Sequence, residues 1–236
     1  MYRGSLTRKD LRHALARQNG ERWNSIIESA VAAGSITLGS LAGQYPDDYF
    51  NGYEIYTNAG TGIGQTRYVT DYTGSTGLVA MSPNWTINPD ATTYVELHRF
   101  LTVDEYNECL DNAYDEGADS FLIEKSDETL TQVDAQYHYT IPSGFVNICD
   151  VFGEESTNET WWRLQPNQDW RVENKSTPLL ILTAYSFSPV VDRTLKVVGQ
   201  AVPVALTTDA IISQIPPVYM INTAMKWALM SNARMK

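Results

Sequence analysis

Apolar and polar positions change period repeatedly along the chain, and the changes predict its elements. Thr7, followed three residues later by Asp10, reads as an N-cap with an acidic residue in the first turn. Leu11, Ala14 and Leu15 then share one helical face up to Gly20. Beyond it Trp23, Ile26, Ile27, Ala30 and Val31 recur at three- and four-residue spacing as far as Gly34, which predicts a second helix and so a helical hairpin. A hairpin this short needs the C-terminal helix or a neighbouring subunit to cover it. Over residues 48–97 the period falls to two, with strands expected at 53–56, 65–70, 78–81 and 93–97. Glycine clusters at 60–64 and 74–77 separate them as turns. Thr102 then caps a helix running to about Asp115, with a narrow apolar face of Tyr106, Leu110 and Ala113. Period two returns after Ser120, predicting strands at 121–123, 136–141, 146–152, 179–182 and 196–199. Pro216 and Pro217 open a last helix through Met220, Ile221, Ala224, Met225, Trp227, Ala228 and Leu229.

The fold class expected from this pattern is α+β. Helical segments, which the resemblance given below makes a ring body, stand at both termini with one middle helix, around an inserted β-meander or barrel-like domain and a second antiparallel β-sandwich-like region. The expected division is a helical hairpin at 1–35 packed with the helix at 210–236, a small β-domain at 36–100, an acidic helix at 101–119 and the second β-region at 120–208.

Composition narrows the function classes. At 43% hydrophobic and 19% charged residues over 236 positions, the chain has enough apolar material for a packed core and is not of the disordered type. Its net charge of −11 argues against non-specific coating of nucleic acid. The charge is uneven. Arg3, Arg8, Lys9, Arg12, Arg17 and Arg22 crowd the first segment, and Asp104, Glu105, Glu108, Asp111, Asp115, Glu116 and Asp119 the middle one. Opposed patches of this kind suit an assembling protein as well as a solvated one. No apolar run approaches the length of about 20 residues that a membrane helix needs, and the first residues have no apolar stretch of secretory type. Cys109 and Cys149 give no disulfide framework.

A search for chemistry finds no catalytic set. Gly60, Gly62 and Gly64 precede β-type residues instead of a helix, which makes them a hairpin turn and not a phosphate loop. His13, His98 and His138 have no partner at metal-ligand spacing. His13 is expected on a solvated helix face and the other two at strand edges. Cys109 lies on an acidic helix, which raises a thiol pKa, and Cys149 alternates with apolar neighbours as a core thiol does. Trp85, Trp161, Trp162 and Trp170 are expected in core or interface, or alternatively as a sugar-stacking platform. Neither an enzymatic activity nor a cofactor or metal is expected.

The wording of the first β-region carries a resemblance. Gly62, Gly64-Gln65-Thr66-Arg67, Val69-Thr70-Asp71-Tyr72, Met81-Ser82-Pro83-Asn84-Trp85 and Pro89-Asp90-Ala91-Thr92-Thr93 resemble a small β-domain that recurs in virion structural proteins of tailed bacteriophages, over residues 50–97. The order of elements, with Tyr139, Ile141-Pro142, Gly144-Phe145, Asn147-Ile148 and Asp150-Val151-Phe152 in the second region, is similar to that of head-to-tail connector (adaptor or neck) proteins. The resemblance implies a structural virion protein made in the bacterial host cytoplasm, forming a homo-oligomeric ring of about twelve copies. Such a ring docks on the phage portal protein and carries a downstream tail or stopper protein. Genomic DNA passes through its lumen without sequence-specific binding, and no membrane is involved. On this reading Trp227, Met230, Arg234, Met235 and Lys236 are portal-contact candidates, and Arg8, Arg12, Trp23, Asp104, Glu108 and Asp111 are subunit-interface candidates. The alternative is a carbohydrate-binding β-module of a tail-associated or secreted protein.

Overall fold

The computed structural model describes residues 5–21, 23–156, 160–174, 176–184 and 188–234. The chain forms two units. The first comprises residues 1–116 with 205–236, and the second residues 117–204.

The first unit begins with α1 (Arg8–Gln18), closed by the expected capping box. Thr7 Oγ1 accepts the Asp10 amide and Asp10 Oδ2 accepts the Thr7 amide, each at 3.2 Å. Seven strands follow: β1 (Trp23–Ile26), β2 (Ser29–Ala32), β3 (Ser35–Thr37), β4 (Glu54–Ala59), β5 (Thr66–Thr73), β6 (Leu78–Ser82) and β7 (Tyr94–His98). They pair antiparallel in the order β1-β7-β4-β5-β6-β3-β2. The two ends of that order are consecutive in sequence, joined only by Ile27 and Glu28. One bent segment therefore opens and closes the sheet, making it a barrel. At the bend the Ile27 amide donates to Thr93 O and the Glu28 amide to Thr37 O, each at 3.0 Å.

This closure overturns the helix expected over 21–34, and with it the α+β assignment with a helical ring body. Among the described residues there are three α-helices, while seven-, four- and three-stranded antiparallel sheets dominate. The physical reason lies in Trp23 to Ile27. Apolar residues at 23, 26 and 27 satisfy a helical period, yet the burial alternates by two: Ser25 and Ile27 are buried, while Asn24 and Ile26 face out. Long-range pairing with β7 decides between the two patterns. An expected boundary at residue 35 would also cut through the barrel.

Ile27, Ile36, Phe50, Ile55, Val69, Val79, Val95 and Leu97 fill the barrel core. Its loops explain the wording that carries the resemblance. Gln65 Oε1 accepts the amides of Thr86 and Ile87 at 2.8 and 3.1 Å, and Gln65 Nε2 donates to the carbonyls of Ile87 and Gly62 at 2.8 and 3.0 Å. Asp90 accepts from the Thr61 hydroxyl (2.7 Å) and the Thr92 amide (2.8 Å). Arg67 Nε donates to Asn84 O at 2.8 Å, with its guanidinium 5.2 Å from the Trp85 ring centre. Gly60 has φ +82°, and a Cβ there would collide with the Thr92 carbonyl. These residues stitch two loops together. Gln65→Ala removes five hydrogen bonds at once, the fifth donated by Arg67 Nη2 at 3.3 Å, and we expect it to lower unfolding free energy by about 2 kcal/mol, read from urea denaturation of the full chain.

After the barrel come α2 (Val103–Gly117) and, at the end of the chain, α3 (Pro217–Arg234). Met220, Ile221, Ala224 and Ala228 form the buried seam of α3, at the three- and four-residue spacing of one helix face.

The second unit holds β8 (Ile123–Thr131), β9 (His138–Thr140), β10 (Asn147–Ser156), β11 (Thr160–Leu164), β12 (Trp170–Glu173), β13 (Leu179–Leu182) and β14 (Thr194–Ala201). One sheet runs β11-β10-β14-β8 and the other β12-β13-β9. Tyr139, Val151, Leu164, Trp170, Leu180, Leu182, Leu195 and Val197 form one core drawn from both sheets. Cys149, expected in that core, is exposed. A register shift between Ile148 and Asp150 against β14 makes Cys149 the extra residue of a bulge, which turns it outward.

Candidate functional site

The side chains with most to say about function lie in the first unit, where α1, α2 and α3 meet the barrel. Arg12 is fully buried. It donates to Glu96 through Nε (3.1 Å) and Nη2 (2.8 Å), and to Asp209 through Nη1 (2.6 Å) and Nη2 (2.8 Å). Nη1 also donates to Asn107 Oδ1 at 3.0 Å. Five donor contacts thus tie α1 to β7, α2 and the segment before α3. Burial alone would lower the Arg12 pKa, but Asp209 and Glu96 outweigh it and hold it above its ordinary value. Burial would raise the Glu96 carboxyl, yet contacts from His13, His98 and Arg12 hold it well below the usual carboxylate range. His98 Nε2 lies 3.0 Å from Glu96 Oε2, and His13 Nε2 lies 2.9 Å from Oε1, off the hydrogen-bonding direction.

A second set of buried carboxylates fixes α2. Glu21 accepts the amides of Arg99 (2.8 Å) and Phe100 and the Tyr106 hydroxyl (2.8 Å). Glu54 accepts the Val103 amide at 2.6 Å, at the positive end of the α2 dipole. Glu96, Glu21 and Glu54 are buried and committed to donors of their own chain, while the Asp209 side chain stays 23% exposed.

These contacts relocate several candidates. Arg12 is buried inside its own chain, and Arg8 pairs with Asp111 at 2.8 Å, so the opposed charges of the first and middle segments partly neutralise each other within one molecule. Trp23 belongs to an aromatic cluster with Tyr45, Tyr49, Phe50 and Tyr53, its Nε1 donating to Tyr45 OH at 3.1 Å. Asp104 and Glu108 remain exposed on α2. Two of the three histidines also differ from expectation, while His138 stands at a strand edge as expected. His13 is largely covered and His98 buried, both against Glu96, because β7 is an interior strand; His138 is exposed on the edge strand β9.

Two candidates from α3 meet one from α2. Trp227, Met230 and Ser231 face Glu105, Glu108, Cys109 and Asn112 across a cleft of about 100 Å³. Glu116, on α2, holds Trp227 from outside the lining. It accepts from Lys226 Nζ at 2.7 Å and from Trp227 Nε1 at 2.8 Å, and Lys226 holds its carboxyl below the ordinary value. Burial, with Glu108 and Glu105 nearby, pushes the Cys109 thiol up to about 11, so at neutral pH it is an unreactive, weakly polar wall. Leu229 and Met230 are 55% and 50% exposed. Arg234 ends α3, and its side chain, with Met235 and Lys236, lies outside the described residues. The sequence reading missed Glu105, Cys109 and Asn112 as a set, although their spacing of four and three already puts them on one face of α2.

Elsewhere the chemistry is sparse. Among the described residues no group of three or more His, Cys, Asp or Glu side chains is placed to hold a metal ion, and no helix is long and apolar enough to cross a membrane. Trp85 and Trp170 are buried, and Trp161 lies under Lys196 at 5.2 Å. Of the four tryptophans considered for a sugar platform, Trp162 alone is more than half exposed, at 61%. Comparisons with family models, with curated proteins and with solved structures found no match to this chain.

Proposed function

We propose that this chain is a non-enzymatic structural protein of a tailed-phage virion, a subunit of the head-to-tail connector that joins portal to tail around the DNA passage. The observation that carries the reading is α3. Besides its buried seam it displays Val218, Leu229 and Met230 to solvent, with Trp227 beside them, so that a helix already packed on one side keeps apolar side chains for another contact. The resemblance of the barrel loops supports the reading, and so does the net charge of −11, which lets DNA pass a lumen without adhering. In this proposal the barrel and the two-sheet unit, not a helical body, supply most of the subunit's mass.

The test is electron microscopy of the protein mixed with the portal of its virion. Rings stacked on the portal are the expected result, and a protein that stays monomeric with that portal overturns the reading. Leu229→Glu with Met230→Glu is expected to abolish docking on the portal while changing unfolding free energy by about 0.5 kcal/mol or less, since both side chains are exposed. Urea denaturation and microscopy of the same sample read the two effects separately.

A further inference from the structure

We infer that the cleft between α2 and α3 seats a cationic amphipathic helix of a partner protein. The inference rests on the connector reading only for where that partner sits in the particle. The apolar half of the argument comes from α3: Met230 is exposed in the cleft wall, Trp227 is fixed beside it by its bond to Glu116, and Leu229 is exposed next to them. Methionine adapts its shape to what docks on it, and a groove between two helices is the usual seat for a third that presents apolar anchors.

The charge of the occupant is set by α2. Glu105 and Glu108 line the cleft, and Asp104 and Asp115 are exposed on the same helix. Among the described residues, Asp104, Glu108 and Asp115 have no cationic partner, whereas Asp111 has Arg8 and Glu116 has Lys226. Asp104 suits the first turn of α2, but the acids at the other end are not what helix stability alone would select. The last turn of α2 has no basic residue, and Asp115 and Glu116 stand at the negative end of its dipole. Lys or Arg side chains flanking an apolar stripe would relieve both the repulsion along α2 and the clash with the dipole. A second copy of this chain, at −11, is the wrong charge for the site. A nucleic acid is excluded on the same ground.

The experiment uses the full chain with carbon-13 methyl-labelled methionine and two synthetic helical peptides that share one leucine pattern, one with lysine and one with glutamate at the polar positions. At near-physiological salt the lysine peptide should shift the Met230 methyl signal saturably, and the glutamate peptide should not. Glu108→Lys with Asp115→Lys should weaken binding at least about tenfold. Asp71→Lys with Glu124→Lys makes the same change in net charge on exposed strand positions and should change it by less than about twofold. An unmoved Met230 signal overturns the proposal. So does equal weakening by both charge reversals, because the attraction is then to the whole protein and not to the cleft. A failure to form rings on the portal sinks the connector reading and leaves the peptide result to decide the cleft by itself.

Discussion

Glu96→Gln is expected to lower the unfolding free energy of the first unit by about 3–5 kcal/mol. The carboxylate is 1% exposed and receives two hydrogen bonds from a guanidinium that is itself fully buried. A glutamine at this position keeps the volume but removes the charge, leaving Arg12 with Asp209 alone for compensation and His98 without its anion. Replacing both partners by apolar residues, as in Arg12→Met with Glu96→Leu, should do less damage than the sum of the single changes, because no buried charge is then left unpaired on that side. The network also predicts a pH dependence. Glu96 has its folded pKa pushed below its ordinary value of 4.5, so its contribution is fully present above that value and is lost as pH falls below it. Glu54 works in the opposite sense. Burial raises its carboxyl, so its ionised form costs stability at neutral pH, and protonation on acidification recovers part of that cost. Hydrogen exchange of barrel amides from pH 7 down to 3 reads the balance. The wild type should lose protection below about pH 4.5 more steeply than Glu96→Gln.

Phe50→Ala should be of similar size, about 3–5 kcal/mol. The side chain is fully buried, and its ring meets Trp23, Tyr45, Tyr49, Tyr53 and Tyr72 at centroid distances of 5.8, 5.0, 4.9, 5.3 and 4.9 Å. Those contacts are edge-to-face, the favourable arrangement for aromatic quadrupoles. Truncation leaves a cavity that Trp23, Tyr45 and Tyr72 cannot move to close, since Trp23 Nε1 is bonded to Tyr45 OH at 3.1 Å and Tyr72 OH to Leu41 O at 2.8 Å. Phe50→Leu keeps part of the volume and should cost about 1–2 kcal/mol. Near-ultraviolet circular dichroism should lose amplitude in the alanine variant, and the urea midpoint should fall in the order wild type, leucine, alanine.

Local chemistry was legible in the sequence, and distant pairing was not. The Thr7–Asp10 box, the Thr102 start of α2 and the proline opening of α3 are written within four residues and fold as read. The glycine turns around β4, β5 and β6 are equally local. The segment from Trp23 to Ala32 was misread because its apolar spacing fits two periods, and the arbiter is β7, some seventy positions away. The candidate site divides along the same line. The resemblance nominates Trp227 and Met230 for a portal contact and Glu108 for a subunit interface, and the three line one cleft. That Arg12 would be buried against residues 96 and 209 has no local signal, since an arginine in a basic first segment looks the same whether it faces solvent or a carboxylate. Cys149 shows how a single inserted residue defeats a period-two reading that is correct on either side of it.

The bent segment that closes the barrel also fixes a timetable for the nascent chain. Its second half, β2, finds β3 within ten residues and can zip as soon as both leave the ribosome, as Ser29 pairs with Thr37. Its first half has to wait, because Trp23 pairs with Leu97 and nothing synthesised earlier can take that place. Through the intervening synthesis the strand Trp23 to Ile26 has no partner and one edge of β4 is bare. Until β7 arrives, both are open to pairing with a stranger.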